Sequence, residues 1–431
     1  MRPIVARGIT AGVLRALLAV LLLVAALGVA PAAVAPAASA AEPITIGFAE
    51  ALTGSLAVVG KSGLLAAQIW AEDVNAKGGL LGRPVKLIYY DHQSNPANVP
   101  GIYTKLLDVD HVDLVISPYA TNMTAPAMPI AMAHGKLFIS VFCLAVNSEF
   151  HYPRYFAMLP TGPDPMHAFS QGYFDLALSQ TPKPQTIAIV AADAEFSRNA
   201  SSGARDNAKA AGLRIVYDGT YPPTTTDYTP IVRAVRATNP DIVYIASYPA
   251  DTAGMLRAVH EVGLSARLFG GNLVGLQTTA LKTQLGPLLN GVVVNENWIP
   301  APALRFPGVM DFMARYQAKA PAEGVDPLGW FLPPYAYARM QVLAQAVTAT
   351  GGLDDAKLAA YMHANRFSTI VGDIAFGAEG EWTASRIIWT QFRGITGHDL
   401  AQFRDPATEV VLLPNEYRSG DLIYPYASAA P

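Results

Sequence analysis

Short apolar runs rich in β-branched residues alternate with longer amphipathic stretches along most of this chain. Ile44 to Phe48 (ITIGF) reads as a strand and the Gly-bounded segment TGSLAVVG as a loop. The stretch ending AEDVNAKGG reads as a helix that begins near Gly60, and VKLIYYD, ending at Asp91, as a second strand. Two strands joined through a helix run parallel. The alternation continues with strands at Leu114 to Ile116 and Leu137 to Val141, flanking a helix from Ala125 to His134. A Pro-rich break, LPTGPDP (Leu159 to Pro165), then interrupts it.

Beyond the break the pattern restarts. Helices are expected over His167 to Gln180, Ser201 to Ala211, Tyr228 to Thr238 and Thr252 to Val262. Strands are expected over Thr186 to Ala191, Arg214 to Asp218 and Asp241 to Ala246, and near Leu268 and Val292. A second Pro-rich segment, Asn295 to Ala303, precedes the helical patterns Gly308 to Lys319, Pro334 to Thr350 and Lys357 to Asn365. These bring no new strands and look like a return to cover the first lobe. Asp373 to Trp389 reads as a hairpin around Gly377-Ala378-Glu379-Gly380. The repetition predicts an α/β protein of two doubly wound, Rossmann-like lobes, with crossovers near residues 160, 295 and 370. The expected N-terminal lobe is 41–160 plus 296–370, and the C-terminal lobe 161–295 plus 371–431. A cleft between such lobes is a common small-molecule site, closed by a hinge.

The N-terminus adds a compartment. Arg2, Arg7 and Arg15 precede or enter an apolar run from Val13 to Val29, and Ala38-Ser39-Ala40 precedes Ala41. That order predicts a cleavable signal peptide over residues 1–40 and a periplasmic protein. Cys143 is the only cysteine, so no intrachain disulfide is expected, nor a lipid anchor at the cleavage point. Removing the three leader arginines from 30 basic residues leaves 27 against 33 acidic ones, a mature charge of −6. A mildly acidic chain without a basic face argues against nucleic acid as a partner.

Catalytic signatures are missing from the sequence. GSLAVVGKS (Gly54 to Ser62) imitates a phosphate loop, but five residues rather than four separate Gly54 from Gly60, so the amide cradle would not close around phosphates. There is no nucleophile elbow, no His-Glu-x-x-His and no Cys-x-x-Cys. The eight histidines show no metal-ligand spacing. A binding protein is expected, not an enzyme, with no cofactor and no metal. One segment does suggest a ligand: Ser117-Pro118-Tyr119-Ala120-Thr121-Asn122-Met123-Thr124 ends a strand and opens a helix, where hydroxyls and free backbone N–H groups suit a carboxylate.

Several blocks carry a resemblance: TGSLAVVG with AEDVNAKGGLLGRPVKLIYYD, then DLVISPYATNMTAP, GKLFIS, TIAIV and IVYIASYPADTAGMLRAVHEVG. In this order they are similar to the periplasmic substrate-binding proteins of branched-chain amino acid ABC importers. The likeness covers nearly the whole mature chain, and N-A-K-G-G-x-x-G-R is its most specific block. It implies a type I periplasmic-binding fold. It also implies that Thr121, with nearby backbone N–H groups, holds a ligand carboxylate, in a site that includes Tyr119 and Ala120. Tyr248 matches a pocket Tyr, Phe196 falls where a second Tyr closes on the ligand, and Trp330 falls where an aromatic packs on its side chain.

Three positions depart from the amino-acid pattern. Asn272 stands where the family's amino-acid binders pair the ammonium with a Glu, and a neutral amide supplies no such charge. Leu144 replaces a Thr, and Phe142, beside Cys143, replaces a small Ala. Tyr119, Phe142, Phe196, Tyr248 and Trp330 would make an aromatic cavity, favouring a flat or bulky apolar carboxylate. The expected role is that of a monomeric solute-binding protein delivering a small apolar or aromatic carboxylate, or an amino acid, to a membrane permease. The alternative is a ligand sensor that presents its closed form to a receptor, since fold alone does not separate the two.

Overall fold

Apolar, β-branched runs become the strands of two parallel sheets in the computed structural model, which describes residues 42–426. The expected signal peptide, 1–40, lies outside the described residues. The first sheet contains β1 (Ile44–Glu50), β2 (Val85–Asp91), β3 (Leu114–Tyr119), β4 (Phe138–Val141) and β5 (Tyr155–Ala157). Its order is β2-β1-β3-β4-β5, with every pair parallel. β3 and β4 are buried at every position, as strands covered on both faces must be, whereas the edge strand β2 is half-exposed along most of its length.

The second sheet repeats the arrangement with β6 (Thr186–Ala192), β7 (Arg214–Tyr221), β8 (Ile242–Ser247), β9 (Leu268–Leu273) and β10 (Val293–Glu296) in the order β7-β6-β8-β9-β10. A separate hairpin pairs β11 (Arg366–Thr369) with β12 (Gly372–Ala375). The antiparallel strands β13 (Ile388–Phe392) and β14 (Glu409–Leu413) then extend the second sheet beyond β10. In both parallel blocks the strand order reverses beside the first strand, which opens a crevice at the carboxyl ends of the strands.

Helix α1 (Ala57–Ala76) begins before Gly60, earlier than the glycines suggested. Gly60 serves close packing: a Cβ there would lie 2.3 Å from the Ala51 carbonyl oxygen at the end of β1. The helix expected over Ala125 to His134 is broken. It forms α2 (Thr121–Thr124), a 3-10 turn (Ala125–Ala127) and α3 (Met128–Ala133), with Pro126 and Pro129 each near the start of a new piece. The second lobe carries α4 (Pro165–Leu178), α5 (Glu195–Ala210), α6 (Thr229–Ala237), α7 (Pro249–Val262) and α8 (Thr279–Leu285). α5 starts upstream of the expected Ser201, which puts Phe196 in its first turn. The chain then returns: α9 (Val309–Glu323) and α10 (Pro333–Thr350) both pack on α1, followed by α11 (Asp355–Ala364). Arg339 of α10 is buried and donates to the Ser117 carbonyl of β3 at 2.8 Å, tying the return segment to the first sheet.

The chain passes between lobes after β5, after β10, and between β12 and β13. The third passage comes later than residue 370. Residues up to Trp382 still lie along β5, with Ala157 N–H donating to Gly380 O (2.8 Å) and the Trp382 indole to Ala157 O (2.9 Å). The expected hairpin is therefore corrected. A tight turn does form at Gly377 to Gly380, closed by a bridge between Phe376 and Trp382, but the second arm, β13, pairs with β10 and β14 instead of folding back. The physical reason is that β10 offers an open sheet edge, and a full ladder there replaces the few bonds of an isolated ribbon.

Candidate functional site

The ends of β3, β4, β8, β9 and β10 converge on one cavity between the two sheets. About 340 Å³ inside it is free of atoms, and the walls stand close together. From the first lobe come Tyr119, Ala120 and Thr121 at the end of β3, Phe142 after β4, and Phe331 from the loop before α10. From the second come Phe169 of α4, Phe196 of α5 and Tyr248, the residue preceding α7. Val274 and Gln277 follow β9, Asn295 and Asn297 end β10, and Leu159 lies on the first crossing.

The rings form two clusters, one on each lobe. Phe331 stacks at 4.8 Å on Phe142 and meets Tyr119 edge-on at 5.8 Å. Opposite, Phe196 lies 5.3 Å from Tyr248 and edge-on to Phe169 at 5.7 Å. Each pair adds roughly 0.5–1.5 kcal/mol to its area burial. Both turns on the first lobe hold non-glycine residues at positive φ, Ala120 at 83° and Phe142 at 53°. Backbone strain of this kind costs about 1–3 kcal/mol per residue and clusters at functional sites.

Thr121 links the two turns. Its Oγ1 accepts the Leu144 N–H at 3.0 Å, so the hydroxyl proton is left to donate elsewhere. Of the N–H groups of α2, those of Met123 and Thr124 donate to Ala120 O (3.2 and 3.0 Å), which leaves those of Thr121 and Asn122 outside the helix's own bonding. Beside the cavity two hydrogen bonds cross the cleft: the Tyr248 hydroxyl donates to Asn122 Oδ1 (3.0 Å), and Asn199 Nδ2 of α5 donates to Leu144 O (3.0 Å); farther along, Thr279 N–H and Oγ1 donate to Asp326 (2.6 and 2.5 Å). Outside them is the cleft mouth, with Ser55, Ser94 and Asn122 facing Ala194, Pro249 and Asp251. Burial raises the Asp251 carboxyl to about 6, against the pull of the Tyr221 hydroxyl that donates to it.

Not all of the expected residues reach the cavity wall. Tyr119, Ala120, Thr121, Phe142, Phe196 and Tyr248 do. Trp330 does not: Phe331 faces the cavity, while the Trp330 ring lies under the Lys282 ammonium, 5.5 Å from its centre. Asn272 sits fully buried behind the wall. It donates to Asn295 Oδ1 (2.8 Å) and to Phe169 O (3.1 Å), and accepts from the Tyr244 hydroxyl. Cys143 donates its thiol to Thr124 Oγ1 (2.9 Å), and burial pushes that thiol up to about 12, so it is an inert core group. Leu144 contributes backbone: its N–H and C=O engage Thr121 and Asn199, while its side chain is buried.

The sequence reading passed over Gln277, Asn295 and Asn297. A signal existed: Asn-Glu-Asn ends the apolar run VVV, and polar residues at the carboxyl end of a buried strand are where such sheets bind. No residue on the cavity wall is charged. Among the described residues, no group of three His, Cys, Asp or Glu side chains is placed to hold a metal ion, and no helix is long and apolar enough to cross a membrane.

Comparison with known proteins agrees with this geometry. The family model for periplasmic binding proteins matches residues 43–392. The Leu/Ile/Val-binding protein of Escherichia coli strain K12 is 26% identical over 344 residues, covering 79% of this chain and 88% of that protein. The leucine-specific-binding protein of Salmonella typhimurium is 25% identical over 347 residues, with the same coverage of 79% and 88%. Two solved structures share the fold. One is a branched-chain amino acid transporter substrate-binding protein from Streptococcus pneumoniae in complex with isoleucine, with TM-score 0.71 and 17% identity, covering 89% of this chain and 100% of that one. The other is a solute-binding protein of an ABC transporter from Rhodopseudomonas palustris in complex with 3,4-dihydroxybenzoic acid, with TM-score 0.69 and 18% identity, covering 82% and 94%. With two doubly wound lobes, three crossings and a cavity at the strand ends, the chain belongs to the periplasmic binding protein family, in the group related to branched-chain amino acid binding proteins.

Proposed function

We propose that this protein is the solute-binding component of an ABC importer of the branched-chain amino acid type. In this reading it is exported through the signal peptide at residues 1–40 and acts in the periplasm as a monomer. It closes its two lobes, whose third crossing lies beyond Trp382, on a small apolar or aromatic carboxylate and delivers that ligand unchanged to a permease. The observation that carries the proposal is the Thr121 hydroxyl: its acceptor side is engaged by Leu144 N–H, its donor side is unengaged, and it lies on the wall of a cavity walled by two aromatic clusters. A carboxylate fits that donor together with the N–H groups opening α2.

An aromatic or other apolar acid is favoured over an amino acid because no carboxylate stands on the wall to pair an ammonium. The two relatives named for leucine and its analogues keep the amino-acid reading in play, and the relative crystallised with 3,4-dihydroxybenzoic acid supports the aromatic one. A thermal-shift screen of leucine, isoleucine and valine against benzoate-like acids decides between them. Stabilisation by the acids alone is expected; stabilisation by leucine or valine alone would remove the aromatic reading.

A further inference from the structure

Strand alternation separates charge from neutral amides at the end of β10. Glu296 points away from the cavity, its carboxylate 3.5 Å from the buried Lys282 ammonium, which itself bonds Glu409 at 2.6 Å. Asn295 and Asn297, on the opposite side, face the cavity. Three amides thus meet there with Gln277, all at most 4% exposed.

The orientations of Gln277 and Asn295 are fixed by what lies behind them, whereas the Asn297 side chain bonds nothing in the protein and can turn either end of its amide to the cavity. Gln277 Nε2 donates to Asn295 O at 2.7 Å; turning the amide would set two carbonyl oxygens against each other, so Oε1 must stay as the acceptor. That oxygen has no partner in the protein. Asn295 Oδ1 is held back by Asn272 Nδ2, and Asn272 is itself held by Phe169 O and the Tyr244 hydroxyl. This leaves Asn295 Nδ2 as a donor towards the cavity. Asn297 Oδ1 is buried and unpartnered too; only the backbone of Asn297 is engaged, accepting from the Tyr335 hydroxyl at 3.0 Å. Native interiors rarely leave buried acceptors unpaired, and each such group calls for a partner.

We infer that the ligand bears a neutral hydroxyl that donates its proton to Gln277 Oε1 and accepts from Asn295 Nδ2 and from the Asn297 amide turned to present its N–H, with Asn272 as the positioning residue behind them. A hydroxyl has one proton to donate and two lone pairs to accept with, which matches one fixed acceptor oxygen beside two N–H donors. A group that only accepts would leave the Gln277 oxygen unpaired. An ammonium would enter a wall that carries no negative charge. The ligand class is therefore a small hydroxylated carboxylic acid, a phenolic acid being the form that also fits the two aromatic clusters. The inference rests on the carboxylate reading of the cleft and adds to it the identity of the polar group that Thr121 does not hold.

Isothermal titration of the mature protein with matched pairs tests it: benzoate against 4-hydroxybenzoate, phenylacetate against 4-hydroxyphenylacetate, with leucine as the fifth probe. The hydroxylated member of a pair should bind at least about tenfold more tightly, because its absence strands buried polar groups. Asn297→Leu and Gln277→Met should bring that ratio towards one while the plain acid keeps its affinity. Thr121→Val should weaken both members alike. Asn297→Leu removes a side chain that bonds nothing else in the protein, so the test survives if Gln277→Met fails to fold. Equal affinities within the pairs, a ratio unchanged in Asn297→Leu, or leucine binding more tightly than every hydroxy acid would overturn the inference while leaving the cleft as a binding site. If none of the five binds the folded protein, the carboxylate reading falls with it.

Discussion

Thr121 does two jobs with one hydroxyl, accepting from Leu144 and facing the cavity. Thr121→Val keeps the shape but leaves the buried Leu144 N–H unpaired. It should cost about 1–3 kcal/mol of stability and abolish most acid binding, whereas Thr121→Ser should retain both. Denaturant titration with parallel calorimetry reads the two effects, and a Val variant that binds normally would place the anchor elsewhere. Motif matching reached Thr121, Phe196 and Tyr248 because each occupies a fixed place at a strand end or helix start. It did not reach Phe331, because a one-residue choice between Trp330 and Phe331 is made by loop direction, which no local pattern records. Asn272 reads as a ligand contact in sequence and stands one layer back in space, because Asn295, its cross-strand neighbour, comes between it and the cavity.

At the scale of elements, the first β-loop-α-β unit is legible in its order and in the limits of β2, while β1 runs on past the expected Phe48 to Glu50, since period and composition mark the strands better than their ends. The start of α1 is not legible, because Gly60 looked like a loop residue and is a packing residue. Gly60→Ala should destabilise the protein by about 1–3 kcal/mol: the added methyl meets the Ala51 backbone oxygen at 2.3 Å, and neither element can retreat without opening the sheet. A melting temperature within error of wild type would show that α1 has room to shift. α5 was read short because its first turns are rich in Ser and Asn, weak helix formers whose helix is secured by packing on α4 and β6. β13 was read into a hairpin because alternation shows that a strand forms but not which edge receives it.

The whole molecule stores protons at its crossings. Glu381, beside the first crossing at Thr161, is raised to about 8 by burial, and Glu50 at the end of β1 is raised to about 7 by burial, despite the opposing effect of Arg339. Both ordinarily titrate near 4.5. Between that value and 7 to 8 the folded chain holds protons that the unfolded chain releases. The stability these two groups contribute is therefore full below about 4.5 and falls as pH rises, by up to ~1.4 kcal/mol per pH unit for each group. The melting temperature should decline from pH 5 to pH 8, and Glu381→Gln should flatten the decline; an equal slope in the variant would remove Glu381 from the account. The two bonds beside the cavity, each worth about 1 kcal/mol, add to the bonds from Thr279 N–H and Oγ1 to Asp326 (2.6 and 2.5 Å) that also join the lobes. Replacing Asn122 and Asn199 together by Ala should raise the open population several-fold, seen as a larger radius of gyration in solution scattering without ligand and a weaker apparent affinity. Unchanged scattering would assign closure to the aromatic contacts and the Asp326 bonds instead.

By itself, the sequence determined the α/β class, the repeated lobe and the family, because these follow from periodicity and from motif blocks of residues a few positions apart. The tertiary structure decided which aromatic faces the cavity, that three amides from the strand ends form its polar wall, and where the third crossing falls. Those outcomes depend on groups brought together from distant parts of the chain, such as Gln277 on Asn295 and Trp382 on Ala157, whose meeting is fixed only when both sheets pack.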